Sequence, residues 1–214
     1  MTDTQYHAWL WEKLGHQALE NLKKHGFAGH FVNNADEARD LILELVKDYE
    51  SFGFGGSATA RAIDLPNALG AMGKTVYDHW EPVAEESDLS LRLKQGRCDC
   101  FICSANAISA TGEIVNVDGV GNRTNAMTFG CPKVIIVAGM NKVAVDLDGA
   151  LRRIREVAAP MRAKSLNMST PCAETGICTD CNSPQRICRI TAILHRKPMM
   201  TDVTVVLVNQ SLGF

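Results

Sequence analysis

Apolar positions along this chain recur with two periods, and the switching between them lays out the elements. From the start to His25 the spacing predicts a helix, closed by Gly26 directly after the basic run Lys23, Lys24 and His25. A short strand, FAGHFV, follows. Asn34 then stands as an N-cap with Glu37 in the capping-box position. In the helix it opens, Ala38, Leu41, Leu45, Val46 and Tyr49 share one face. SFGFGGSATARAIDLPNALGAMG reads as a glycine-rich turn leading into a helix, and KTVYDHW as a short strand. RCDCFICSANAIS predicts a buried strand running into a loop, and EIVNVDG another strand. KVIIVAG is a continuous apolar run, the pattern of a strand covered on both faces. Leu147, Leu151, Ile154, Val157, Ala158 and Met161 make a further amphipathic helix, with Pro160 restricting its end.

Strands alternating with helices predict an α/β fold: an open, mostly parallel sheet with helices on both faces. The alternation stops after Lys164. A cysteine-rich insertion occupies 170–188, and two β-rich runs, ITAILH and VTVVLV, follow it as a terminal hairpin or as two late strands returning to the main sheet. At 214 residues the whole chain, 1–214, fits one domain, with 1–50 its N-terminal helical part.

Composition changes this picture only at the cysteines. The net charge of −2 argues against a dedicated nucleic-acid or anionic-membrane binder. No apolar run approaches the ~18 residues of a membrane span. The opening, MTDTQYHAWLWEKLG, lacks the apolar core of a secretory signal, so the expected compartment is the cytoplasm. Thiols stay reduced there, and clustered cysteines read as metal ligands or redox groups. Cys172, Cys178, Cys181 and Cys188 have the spacing C-x5-C-x2-C-x6-C. One C-x-x-C knuckle flanked by single cysteines favours a [4Fe–4S] cluster over tetrahedral zinc, which usually brings two knuckles. Arg186, Arg189, Arg196 and Lys197 stand nearby to offset its charge. The competing readings are redox-active thiols without metal and inert buried cysteines. Polar neighbours such as Glu174, Asp180 and Asn182 count against a core. For the other four, alternation puts Cys98 and Cys100 on one face of a strand and Cys103 on the other, and favours buried packing. Cys131 stands just ahead of KVIIVAG.

Two stretches suggest a ligand site. In GFGGSATARAID, Gly55 and Gly56 precede Ser57 at a helix start, where exposed N–H groups suit an anion. A plain turn with Ser57 as N-cap explains the same residues. In SANAISATGEIVNVDGVGNRTNAM, Asn106, Glu113, Asn116, Asp118, Asn122 and Arg123 crowd polar groups between buried strands, the usual place for a ligand in an open α/β sheet. Asx-turns and caps account for some of them without a ligand.

SANAISATGEIVNVDGVGNR, KVIIVAGMNK, ALRRIREVAAPMRAK and TPCAETGICTDCNSPQRICRIT together resemble the lactate-utilization (LUD) domain family, in its stand-alone bacterial form with a C-terminal four-cysteine motif. The resemblance runs from about the glycine-rich turn to VLVNQSLGF. It implies a fold like that of glucosamine-phosphate deaminase, ribose-phosphate isomerase and the CoA transferases. Asn106 stands where sugar-phosphate relatives carry an acid, and an amide is no general base. The implied function is an iron–sulfur-binding protein in oxidation of lactate or a related small hydroxy acid, or in electron transfer serving it. Its partners would be a small carboxylate or phosphate ligand and an electron-transfer protein, with a homo-oligomer also expected. Gly55, Gly56, Ser57, Asn106, Asn116, Asn122 and Arg123 would line the pocket, with Arg123 as a bidentate clamp. The alternatives are an isomerase or transferase acting on a phosphorylated or CoA-linked molecule, with Glu113 or Asp118 as acid, base or nucleophile and a structural metal, or a non-catalytic redox sensor.

Overall fold

The computed structural model describes residues 2–81 and 86–214. The first half of the chain contains α1 (Asp3–Lys24), β1 (Ala28–Val32), α2 (Ala35–Leu45), β2 (Ser51–Phe54), α3 (Ala58–Ala62), α4 (Leu65–Ala71), β3 (Thr75–Asp78), α5 (Asp88–Gln95) and β4 (Cys100–Cys103). After them come β5 (Ala107–Ser109), β6 (Ile114–Asp118), α6 (Asn122–Thr128), β7 (Lys133–Gly139) and β8 (Val143–Ala144). The chain continues through α7 (Leu147–Arg153), a π-helical turn (Ile154–Ala158), α8 (Ala159–Ser165), α9 (Pro171–Thr175), β9 (Ile190–Leu194) and β10 (Asp202–Val208).

Six strands form an open sheet in the order β1-β10-β7-β4-β2-β3, every neighbouring pair parallel. The expected α/β architecture is therefore present, and β7 shows why its sequence reads as it does. Val134 and Ile136 face one core layer, with Leu19 and Leu22 of α1 and with Phe101. Ile135 and Val137 face the opposite layer, with Ile42 of α2, Leu65 and Leu69 of α4 and Phe52. A strand covered on both faces has no room for a polar alternation. Lys133, at its buried start, is held by Asp202 (2.6 Å) and Thr204 (2.8 Å) of β10.

A second sheet, in the order β8-β5-β6-β9, lies beside the first. One of its faces, with Ile108 and Ile114, joins the α1 core layer; the other packs Ala107 and Val115 against Ala150 and Ile154. This sheet corrects the expectation for the end of the chain. The late runs are not a hairpin, and they do not both return to the main sheet. β10 inserts between β1 and β7, whereas β9 pairs antiparallel with β6. Pro160 likewise does not end its helix. A proline has no N–H and crowds the carbonyl four residues back. The backbone answers with a wider π turn, in which Ala159 N–H reaches the Ile154 carbonyl, and helix continues to Ser165.

The strand that holds the first cysteines begins at Cys100, so alternation does not extend to Cys98. Cys98 and Cys103 face the α1 layer and Cys100 faces the other, which corrects the expected pairing of Cys98 with Cys100. All three are buried, as is Cys131, whose sulfur lies 3.6 Å from that of Cys98.

Candidate functional site

Four adjacent strands of the main sheet deliver the site at their C-terminal ends, where open α/β sheets bind ligands. β2 ends at Phe54 and turns through Gly55 and Gly56; β3 is followed by His79 and Trp80; β4 is followed by Ser104, Ala105 and Asn106; β7 leads to Lys142. Together with α6, α8 and Ile187 of the cysteine-rich segment, these residues enclose a cavity of about 470 Å³.

The glycine turn is shaped by close approach. A Cβ on Gly55 would stand 2.8 Å from Phe101 Cζ and 3.1 Å from Arg123 Cγ. Gly56 has φ +72, open to glycine at no steric cost, and carries the chain past His79 and Trp80. Ser57 then caps α3 by accepting the Ala60 N–H at 3.1 Å. Its hydroxyl is thereby committed to the helix, as the plain-turn reading expects.

The central polar stretch is organised around Asp118 and Arg123. Arg123 Nε and Nη2 both donate to Asp118 Oδ1, at 2.9 and 2.6 Å, and Nη2 also reaches Asn106 Oδ1 (2.7 Å) and the Val117 carbonyl (2.8 Å). Asp118 Oδ2 accepts the Thr124 N–H at 2.8 Å, fixing the first turn of α6. Asn106 and Asn116 clasp each other's strands: Asn106 N–H donates to Asn116 Oδ1, and Val117 N–H to Asn106 Oδ1, both at 2.8 Å. Arg123 is thus no open fork. Its Nε and Nη2 are engaged inside the protein, and Asp118 is its counter-ion. Asn116 is fully buried and outside the cavity lining, while Gly55, Gly56, Ser57, Asn106, Asp118, Asn122 and Arg123 line it. Glu113 is not brought to this group. It sits in the β5–β6 turn, accepting from Thr111 Oγ1 at 2.6 Å, next to Gly112, whose carbonyl meets His25 Nδ1 at 2.9 Å.

Three cationic side chains that the motifs did not single out complete the lining: Arg92, Lys142 and Arg162. Lys142 is buried, and its Nζ donates to Thr59 Oγ1 (2.7 Å) and Ser104 Oγ (3.0 Å). Burial, reinforced by the charges of Arg153 and Arg123, pushes its pKa down to about 7. Arg162 stacks on Trp80 with its guanidinium carbon 4.8 Å from the ring centroid; Arg61 covers the same ring at 4.6 Å. Arg92 pairs with Asp88 at 2.8 Å, whereas Arg162 has no carboxylate partner among the described residues. Burial, and then Arg92, hold the His79 imidazole below its ordinary range, and Gln95 donates to its Nδ1 at 3.0 Å. Three guanidinium groups, Arg92, Arg123 and Arg162, therefore stand with Lys142 in a lining whose one acidic side chain among the described residues is Asp118.

The cysteine-rich segment forms one wall. Ile187 lines the cavity, and Arg189 N–H donates to the Asp118 carbonyl at 2.9 Å. Arg186 staples the segment by donating to the carbonyls of Cys188 (2.8 Å) and Cys181 (2.7 Å) and pairing with Asp180 at 2.8 Å. Cys172, Cys178, Cys181 and Cys188 are all partly exposed. Four thiols in one polar segment are the donors an iron–sulfur cluster or zinc takes. As placed, they do not make a ligand shell: among the described residues no three His, Cys, Asp or Glu side chains converge on a metal position. Among the described residues, too, no helix is long and apolar enough to cross a membrane.

Comparison with known proteins bears on this architecture. The crystal structure of a DUF162 family protein from Deinococcus radiodurans superposes with a TM-score of 0.56 at 15% sequence identity, covering 92% of this chain and 98% of that one. At that identity the likeness speaks for the fold. No curated protein sequence matches the chain. The family model of the LUD domain matches residues 15–208, reaching into α1 and so well upstream of the glycine-rich turn. The chain belongs to the LUD-domain family.

Proposed function

We propose that this protein binds a small carboxylate or phosphate anion in the cavity at the C-terminal ends of β2, β3, β4 and β7, and that it serves the oxidation of lactate or a related hydroxy acid. The observation that carries the reading is the charge of the lining: Arg92, Arg123 and Arg162 against Asp118. Membership of the LUD-domain family supports the lactate connection. With Arg123 committed to Asp118, Arg162 is the group that meets the anion, because its planar fork is pre-organised for bidentate pairing.

The second part of the proposal is that Cys172, Cys178, Cys181 and Cys188, which do not converge as placed, close on a [4Fe–4S] cluster when it binds. The reading is supported by their spacing and by Ile187, the neighbour of Cys188, which lines the cavity. When bound, such a cluster supplies one-electron chemistry; the residues of the chain orient the anion and exclude water. An electron-transfer protein is then the expected partner. The test is iron, zinc and acid-labile sulfide per chain on protein purified without oxygen. About four irons and four sulfides agree with the proposal. One zinc without sulfide assigns the segment a structural role instead.

A further inference from the structure

We propose that Lys142 is a reacting amine, and that the ligand of the cavity is a small 2-oxo acid whose carbonyl Lys142 captures as an imine. This rests on the reading of the cavity as an anion site and names the chemistry of its occupant.

The partners of Lys142 set it apart from a lysine that balances charge. Lys133 is about as buried, and it sits on a carboxylate, Asp202, at 2.6 Å. Lys142 has no carboxylate partner among the described residues and meets two hydroxyls instead, at 2.7 and 3.0 Å. Those hydroxyls direct their own protons onward, Thr59 to the Leu212 carbonyl (3.2 Å) and Ser104 to the Ala105 carbonyl (3.4 Å). Both therefore accept from Nζ. A neutral amine has two N–H bonds and one lone pair, so two acceptors satisfy it and leave the lone pair for the cavity. The charged and titratable groups that face it are Arg153 of α7, Arg123 of α6 and Cys103 of β4, of which both arginines oppose a proton on Nζ. An uncharged buried lysine is the form that attacks carbonyl carbon.

The same cavity carries the second half of the recognition. Arg162, without a carboxylate of its own among the described residues, offers its fork to a carboxylate. A ligand that satisfies both groups carries a carboxylate and an electrophilic carbonyl, and a 2-oxo acid is the smallest molecule that has both. In the step itself the Nζ lone pair forms a C–N bond to the carbonyl carbon as the C–O π bond opens, and one of the two N–H protons passes to that oxygen. The remaining C–O bond then breaks, and the oxygen leaves as water with the second N–H proton. Amine and ketone become imine and water, with no change of oxidation state.

The experiment is borohydride trapping with pyruvate on the intact protein, followed by peptide mapping, alongside calorimetric titration of pyruvate without reductant. The expected result is a reduced adduct on the Lys142 peptide and none at that site in Lys142→Arg or Lys142→Met. Wild-type labelling at Lys142 should rise through pH ~7, well below the ~10.4 of exposed lysines. That profile needs no variant and holds even if the substitutions unfold the protein. Arg162→Met should raise the pyruvate concentration for half-maximal labelling by about tenfold or more, the value of a charge-assisted hydrogen bond. Saturable pyruvate binding without a Lys142 adduct overturns the imine and leaves the anion site standing. Labelling spread over surface lysines, with the same profile at Lys142 as elsewhere, also overturns it. Absence of pyruvate binding removes the 2-oxo acid, and absence of binding by lactate and phosphate as well removes the anion site beneath it.

Discussion

Replacing Asp118 with alanine tests whether this carboxylate is a structural counter-ion or a catalytic acid, the role its motif suggested. Its side chain is 7% exposed and that of Arg123 is 14% exposed. The substitution removes two charge-assisted hydrogen bonds from Arg123, at 2.9 and 2.6 Å, and the acceptor of the Thr124 N–H at 2.8 Å. Breaking one side of a buried ion pair costs about 3–5 kcal/mol. Arg123 keeps Asn106 Oδ1 and the Val117 carbonyl, which places the expected loss near the lower bound, about 3 kcal/mol. For a chain of this length that corresponds to a fall in Tm of about 6–12 °C. Asp118→Asn keeps the shape and an acceptor for Thr124 but loses the charge, so it should fall between wild type and Asp118→Ala. The assay is urea unfolding at pH 7 with the slope held common to all three proteins, since a shared slope makes midpoint a measure of stability. An Asp118→Ala protein within ~0.5 kcal/mol of wild type would refute the counter-ion role.

Gly55→Ala should destabilise by about 1–3 kcal/mol, because its Cβ meets Phe101 at 2.8 Å and the Arg123 stem at 3.1 Å; an unchanged urea midpoint would show that the turn has slack. Lys142 gives a pH signature. Its folded pKa, about 7, lies below that of the unfolded chain, so between these values the unfolded state binds more protons. Wild-type stability relative to Lys142→Met should therefore rise from pH ~7 to ~10 and level off above. A difference in urea midpoint that stays flat over that range, with Arg123, Arg153 and Cys103 unchanged around the site, would contradict the lowered pKa. Glu113→Gln should leave pyruvate affinity within about twofold, since Glu113 sits in the β5–β6 turn away from the lining; a tenfold loss by calorimetry (~1.4 kcal/mol) would return it to the site.

The sheet was legible where burial imposes its own pattern. KVIIVAG is apolar throughout because both faces are covered, and the α2 stripe is visible because one face is not. Short or mixed elements hid. β2 is four residues ending at a glycine turn, so it merges with that turn in the sequence. The seven residues of α6, NRTNAMT, are too polar and too few to show a stripe. The late strands were readable as β, but their partners are set by non-local register, which local pattern does not encode. At the site, the motif located Asn106, Asp118 and Arg123 in one place yet gave no sign that they satisfy one another. Lys142 and Arg162 look like ordinary surface lysine and arginine in sequence. Their surroundings come from the approach of Thr59 in α3, Ser104 after β4 and Trp80 after β3, all distant in sequence.

Recognition of a small anion through Arg162 is tested by calorimetric titration of wild type and Arg162→Met with pyruvate, lactate and phosphate, with Tm confirming that the variant is folded. Saturable binding of at least one of these anions to wild type is expected, weakened about tenfold or more in Arg162→Met through loss of a charge-assisted contact. Equal affinities in the two proteins, or no binding of any of the three anions to wild type, would contradict it.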